Sequence, residues 1–136
     1  MKILILCTGN SCRSQMAEGY LKKISDFDIY SAGVNPAERT SSKAIKVMKE
    51  IGIDISSSVP KSVEIFLNES FDYVITVCDN ANKTCPVFFG KVKYTLYIPF
   101  DDPYNSIGTQ EEIMGCYRRV RDEIVSIFDQ FIKSVL

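Results

Sequence analysis

Apolar residues occur along this chain in two alternating patterns. Strand-like runs rich in aliphatic and β-branched residues stand at residues 3–7, 29–32, 73–78 and 92–98, the first with no polar alternation. Runs of this length predict strands, and the first, without polar alternation, a strand covered on both faces. Between them the apolar spacing lengthens to three and four residues, the period of a helix with one buried face. Met16, Ala17, Tyr20, Leu21 and Ile24 define one such face, with Ser14 as a candidate cap. Ala44, Val47, Met48 and Ile51 define a second, beginning near Thr40 or Ser41 and stopping at Gly52. Residues 63–67 read as a short helix. Towards the C-terminus, Ile113, Tyr117, Val120, Ile124, Phe128, Phe131 and Val135 define a long one, starting near Thr109.

Strand runs that alternate with helical stretches predict βαβ crossovers, and hence a parallel sheet. The expected fold class is α/β: a single domain, residues 1–136, with a four-stranded parallel sheet flanked by helices on both faces. Ligands of such sheets bind beyond the carboxyl ends of the strands. Cys7, Cys78 and the pair Asp101 and Asp102 each follow a strand-like run. Three useful chemistries are therefore expected along one edge of the sheet.

Composition narrows the chemistry. A formal net charge of -1 gives no basic surplus for nucleic acid. No apolar run reaches the ~18 residues of a membrane span, and the N-terminal run is too short for a signal peptide. A cytoplasmic location is expected, where five cysteines point to reactivity or metal binding rather than a disulfide framework. The chain has no histidine, so Ser-His and Cys-His catalysis and imidazole zinc sites are excluded. Any nucleophile here needs another source of activation.

The stretch Cys7, Thr8, Gly9, Asn10, Ser11, Cys12, Arg13, Ser14 supplies one. It is a C-x5-R-S loop between a predicted strand and a predicted helix. The unpaired amides of a helix start, and the helix dipole, attract anions. Gly9 and Asn10 tolerate the positive φ that curls successive N–H groups around one point. Arg13 is suited to clamp two oxygens of a tetrahedral oxyanion. The same field favours the thiolate of Cys7, and the Ser14 hydroxyl is placed to donate to it. A histidine is then unnecessary.

Cys78 and Cys85 bracket a C-x6-C segment that admits three readings: structural thiols, metal ligands, or a redox pair. A four-cysteine metal site with Cys7 and Cys12 competes with the anion loop for Cys7, and no metal is expected. If the segment is helical, residues seven apart stand ~10 Å apart along the axis. A disulfide needs Cα atoms within about 7 Å, so pairing Cys78 with Cys85 would require local unwinding. Pro86 and the mediocre helix formers Asn80 and Asn82 favour that. Asp102 precedes Pro103, which holds it extended. At the same sheet edge as Cys7, its carboxyl is placed to protonate a departing oxygen, with Asp101 the weaker candidate.

The stretches CTGNSCRSQMAEGY, VITVCDNANKTCP and FDDP, in this order and at these separations, resemble the thioredoxin-coupled arsenate reductases. Those enzymes share the fold of the low-molecular-weight protein tyrosine phosphatases. The likeness runs over nearly the whole chain, including VRDEI in the last helix. It implies that Cys7 attacks arsenate held by residues 8–13, while Asp102 protonates the leaving oxygen. Cys78 would then attack Cys7, releasing arsenite. Cys85 would attack Cys78, and thioredoxin would reduce the resulting Cys78–Cys85 disulfide. Cys12 has no part in that relay. The family also often binds a potassium ion through residues matching Asn10, Glu18 and Ser31. Where a further carboxylate would stand this chain has Lys61, whose ammonium would supply the charge, so no tightly bound cofactor is expected.

Two alternatives accompany that reading. Tyr104 after the Asp-Pro pair is closer to the phosphatases, whose tyrosine lines the substrate cleft. Hydrolysis of phosphomonoesters through a Cys7 phosphocysteine is therefore the second activity to weigh. The third reading is a non-catalytic oxyanion-binding or redox-sensing protein in which Cys78 and Cys85 report oxidation.

Overall fold

In the computed structural model, which describes residues 1–78, 88 and 90–136, Lys2–Cys7 forms the central strand β1. Residues Ile3 to Leu6 of β1 have no exposed surface, as the unbroken aliphatic run requires. Strand β2, Asp28–Gly33, lies on one side of β1, and β3, Ser70–Thr76, on the other. Strand β4, Lys91–Tyr97, pairs with β3 at the outer edge. All three pairings are parallel, with Cys7 opposite Gly33, Leu6 opposite Thr76, and Thr76 opposite Tyr97. The carboxyl ends are thus nearly flush and form one shelf.

Three helices cover one face. They are α1 (Arg13–Ile24), α2 (Ser42–Lys49) and α3 (Gln110–Val135). Ile3 and Ile5 pack there with Met16, Leu21, Val47, Met48, Val120, Ile124 and Phe128. The alternate residues Leu4 and Leu6 face a smaller cluster with Ala32, Phe66, Phe71 and Val74. A 3-10 turn, Val63–Phe66, contributes to this second layer. Both faces of β1 are therefore dry, but all three described α-helices lie on one of them. Among the described residues, no helix is long and apolar enough to cross a membrane.

Two local expectations change. Ser14 does not cap α1: the capping position is Cys12, and no side chain bonds the first-turn amides. Ile51 leaves the apolar face of α2 because the helix stops at Lys49. The chain then turns through Gly52, at φ 80°, and Ile51 is exposed. Strand β4 forms where the run at 92–98 predicts a strand, and as the edge strand it is mostly exposed.

Candidate active site

The turn from β1 into α1 brings Cys7, the loop after it and Arg13 together at the sheet's carboxyl edge. The loop is shaped by Asn10, which adopts the left-handed conformation at φ 52°. Gly9 does not share it, contrary to expectation, so one left-handed residue suffices for the turn. The backbone N–H of Asn10 donates to Cys7 Sγ at 3.1 Å. Ser14, freed from capping, stands with its Oγ 2.9 Å from the same sulfur.

A chain of buried polar groups favours Ser14 as the donor in that contact. Glu18 is buried, and its carboxylate accepts from the Ser31 hydroxyl. Ser31 Oγ in turn accepts from Asn10 Nδ2 at 2.9 Å, and the same amide nitrogen donates to Ser14 Oγ at 2.8 Å. An amide NH2 can only donate. Ser14 therefore accepts from Asn10, and its own proton is left for Cys7. Asn10 Oδ1 completes the network by accepting from Lys61 N at 2.8 Å and Gln15 Nε2 at 3.2 Å. Hydrogen-bonding groups thus converge on the sulfur without a histidine.

Gln15 is a residue that sequence reasoning missed. It is buried, and its Nε2 faces three acceptors: Asn10 O, Asn10 Oδ1 and Val59 O. Reversing the amide would set oxygen against oxygen, so its orientation is forced even though Oε1 has no partner. The available signal was a polar residue inside the first turn of a helix, where a merely solvated side chain would point outward.

Arg13 is buried, as are Asn10 and Cys12 of the loop. Its Nη1 donates to Phe100 O at 3.0 Å, and its Nη2 lies 3.4 Å from Asp102 Oδ2. The guanidinium therefore ties the loop after β4 to the loop after β1. Asp102 divides its oxygens. Oδ1 accepts from Tyr104 N at 3.1 Å, capping the 3-10 turn Pro103–Asn105, while Oδ2 turns towards Arg13. Asp101 points away and pairs with Arg119 at 3.1 Å, mostly in solvent. The two adjacent carboxylates are thus sorted by geometry, with Asp102 alone at the site.

Cys7, Arg13, Cys78 and Asp102 line one cleft of about 1060 Å3, together with Thr8, Gly9, Asn10, Ser11 and Cys12. Its outer wall comes from residues 35–43 and from Tyr104, which is exposed at the mouth. Cys78 is buried beside the end of β3. Cys85, and the segment between it and Cys78 read above as a possible helix, lie outside the described residues. Burial, reinforced by the Asp102 carboxylate, holds the Cys12 thiol far above its ordinary value and so protonated. That leaves Cys12 a structural part of the cradle rather than a competing nucleophile.

Beside the cradle, Lys22 Nζ lies 2.6 Å from Glu18 Oε2 and Lys61 Nζ lies 3.9 Å from Glu18 Oε1. Two ammonium groups therefore balance the charge of this one carboxylate. Among the described residues, no cluster of three or more acidic or cysteine side chains is arranged to hold a metal.

The family model for low molecular weight phosphotyrosine protein phosphatases matches residues 2–136. An arsenate reductase of Halalkalibacterium halodurans is 47% identical over 124 residues, which cover 90% of this chain and 88% of that protein. Among solved structures, an arsenate reductase in the phosphate binding state superposes with a TM-score of 0.81 at 28% identity, covering 100% of both chains. The low molecular weight protein tyrosine phosphatase from T. tengcongensis superposes with a TM-score of 0.75 at 31% identity, covering 98% of this chain and 99% of that one.

Proposed function

This chain belongs to the low molecular weight phosphotyrosine protein phosphatase family, and from that membership we propose that it is an arsenate reductase acting through its cysteines. The likeness to the reductase of Halalkalibacterium halodurans supports the reaction. The observation that carries the mechanism is the shared cleft: Cys7, its directed donors, Arg13, Asp102 and a second buried thiol, Cys78, all face one space.

Arsenate enters the loop of residues 8–13, held by amides and by Arg13. The Cys7 thiolate attacks arsenic, and Asp102 gives its proton to the oxygen that leaves as water. The Cys78 thiolate then attacks the Cys7 sulfur. A Cys7–Cys78 disulfide forms as the sulfur–arsenic electron pair passes to arsenic, which departs as arsenite. Cys85 attacks Cys78, expelling the Cys7 thiolate, and thioredoxin supplies the two electrons that reduce the Cys78–Cys85 disulfide. Potassium has no place in this scheme, because Lys22 and Lys61 already neutralise Glu18.

Phosphomonoester hydrolysis is the second reading, favoured by Tyr104 at the cleft mouth and by the likeness to the T. tengcongensis phosphatase. Arsenate and phosphate are nearly the same shape, so the cradle alone does not separate them. Three proteins do: wild type, Cys78→Ser and Asp102→Asn. Each is assayed for arsenate-dependent NADPH consumption with thioredoxin and its reductase, and for hydrolysis of an aryl phosphate. The reductase reading expects Cys78→Ser to abolish the first activity and spare the second, and Asp102→Asn to slow both by at least about a hundredfold. Brisk aryl phosphate hydrolysis with no arsenate-driven NADPH loss in wild type would make the protein a phosphatase. Silence in both assays would leave an oxyanion-binding or redox-sensing protein.

A further inference from the structure

Each carbonyl from Thr8 to Cys12 has a hydrogen-bond partner that lies outside residues 8–12. Cys12 O accepts from Met16 N at 2.9 Å as α1 begins, and Asn10 O accepts from Gln15 Nε2 at 3.1 Å. The other three are held by one stretch of backbone. Asn35 N donates to Thr8 O at 3.0 Å, Ala37 N to Gly9 O at 2.9 Å, and Ser41 N to Ser11 O at 2.8 Å. A peptide unit is planar, and its carbonyl and the following N–H point in opposite directions. Holding the oxygens of Thr8, Gly9 and Ser11 therefore aims the N–H groups of Gly9, Asn10 and Cys12 the other way. One of those, Asn10 N, is the amide that already donates to Cys7 Sγ.

We infer that residues 33–41 are a positioning element for the oxyanion loop: their amides set the direction of the N–H groups that hold the anion and the thiolate. The side chains of this segment are secondary to its backbone. Gly33, where the segment leaves β2, shows how close the approach is. A Cβ there would lie 2.4 Å from Thr8 O and 3.0 Å from Asn10 N, so any other residue would push the two loops apart. A second strut runs through the same glycine. Gly33 N donates to Lys61 O at 2.8 Å, and Lys61 N donates to Asn10 Oδ1 at 2.8 Å. Because residues 35–43 also form the outer wall of the cleft, wall and cradle are one mechanical unit.

The inference rests on reading residues 8–13 as an oxyanion cradle, and the test keeps the two apart. Ala37→Pro deletes the amide that holds Gly9 O, whereas Ala37→Gly retains it. Alkylation of Cys7 by iodoacetamide at neutral pH, with rising inorganic phosphate, reads thiolate reactivity and anion affinity together. Wild type and Ala37→Gly are expected to be protected at similar phosphate concentrations. Ala37→Pro should need about tenfold more phosphate for half protection and should alkylate more slowly without it, the scale of one lost hydrogen bond. A purely structural loss would lower the melting temperature and leave both readouts of the folded protein unchanged. Hydrogen exchange on wild type decides the matter even if Ala37→Pro does not fold. Since coupling is reciprocal, saturating phosphate should slow exchange at Asn35, Ala37 and Ser41 at least about threefold. Equal phosphate protection of Ala37→Pro and wild type, or exchange at those amides indifferent to phosphate, would overturn the inference. If phosphate fails to protect Cys7 in wild type, the cradle reading falls first and takes this inference with it.

Discussion

Asn10 has two duties in the loop that are chemically separable. Its backbone sits at φ 52°, a region that costs most side chains about 1 kcal/mol. Its side chain joins Ser14, Ser31, Lys61 N and Gln15. Asn10→Gly removes the second duty only, while Asn10→Ala removes both. A buried polar group left without a partner costs about 1–3 kcal/mol. Asn10→Ala is therefore expected to lower the unfolding free energy by roughly 2–3 kcal/mol, and Asn10→Gly by about 1 kcal/mol less than that, in urea titrations. Both should slow Cys7 alkylation, because Ser14 loses the Asn10 amide that orients its hydroxyl towards the sulfur. Equal stability of the two variants would mean that the backbone strain is absent. Residues of this kind were readable from sequence: cysteine, asparagine, arginine and serine have few other reasons to meet where a strand turns into a helix. Gln15 and Gly33 were not. Gln15 finds Val59 at a separation of 44 residues, and Gly33 is needed only because a second loop crosses it. Neither partner is visible in local spacing.

At the level of elements, α3 couples the core to the site. Phe128, fully buried, stacks on Phe100 at a ring separation of 6.0 Å, and Phe100 O is the acceptor for Arg13. At the far end of the helix, Thr109 and Glu112 form a reciprocal capping box in solvent. Truncation at the two ends should differ in size and in kind. Phe128→Ala is expected to cost about 3–5 kcal/mol by opening a cavity beneath the acid loop, and Thr109→Ala about 1 kcal/mol through the cap alone. Denaturant unfolding measures both, and a KM for the oxyanion that rises only in Phe128→Ala would locate the coupling. The long apolar period of α3 made this helix legible in advance. The fourth strand was found, and its exposure has a readable reason. In KVKYTLY, lysine, lysine and threonine alternate with valine, tyrosine and leucine, the pattern of an edge strand with one wet face. The start of α1 was misjudged because Ser14 has a better use: a serine that caps the helix would occupy the amides and leave the sulfur without its donor.

Among the described residues all three α-helices lie on one face of the sheet, so their mutual packing decides how firmly that layer holds. Part of the α2–α3 contact is ionic. Arg121, buried on α3, donates to Val47 O at 3.0 Å and to Glu50 Oε1 at 2.7 Å, just past the end of α2. Arg118 grips the same carboxylate through both of its oxygens. Hydrogen bonding to Arg118 first, and to Arg121 after it, holds the Glu50 carboxyl below its ordinary value of 4.5. The sign of the pH dependence follows. A carboxyl whose value is depressed by folding binds its proton more readily in the unfolded chain. Its contribution is therefore present in full above the ordinary value and disappears as pH falls through the depressed one. Glu50→Gln should melt at a lower temperature than wild type near neutrality, and the two melting curves should converge as the solution is acidified below the ordinary carboxylate range. Salt will blunt the difference, because the carboxylate is solvent-exposed. A gap between the variants that persists unchanged into acid would mean that Glu50 works by shape or by neutral hydrogen bonding rather than by its charge.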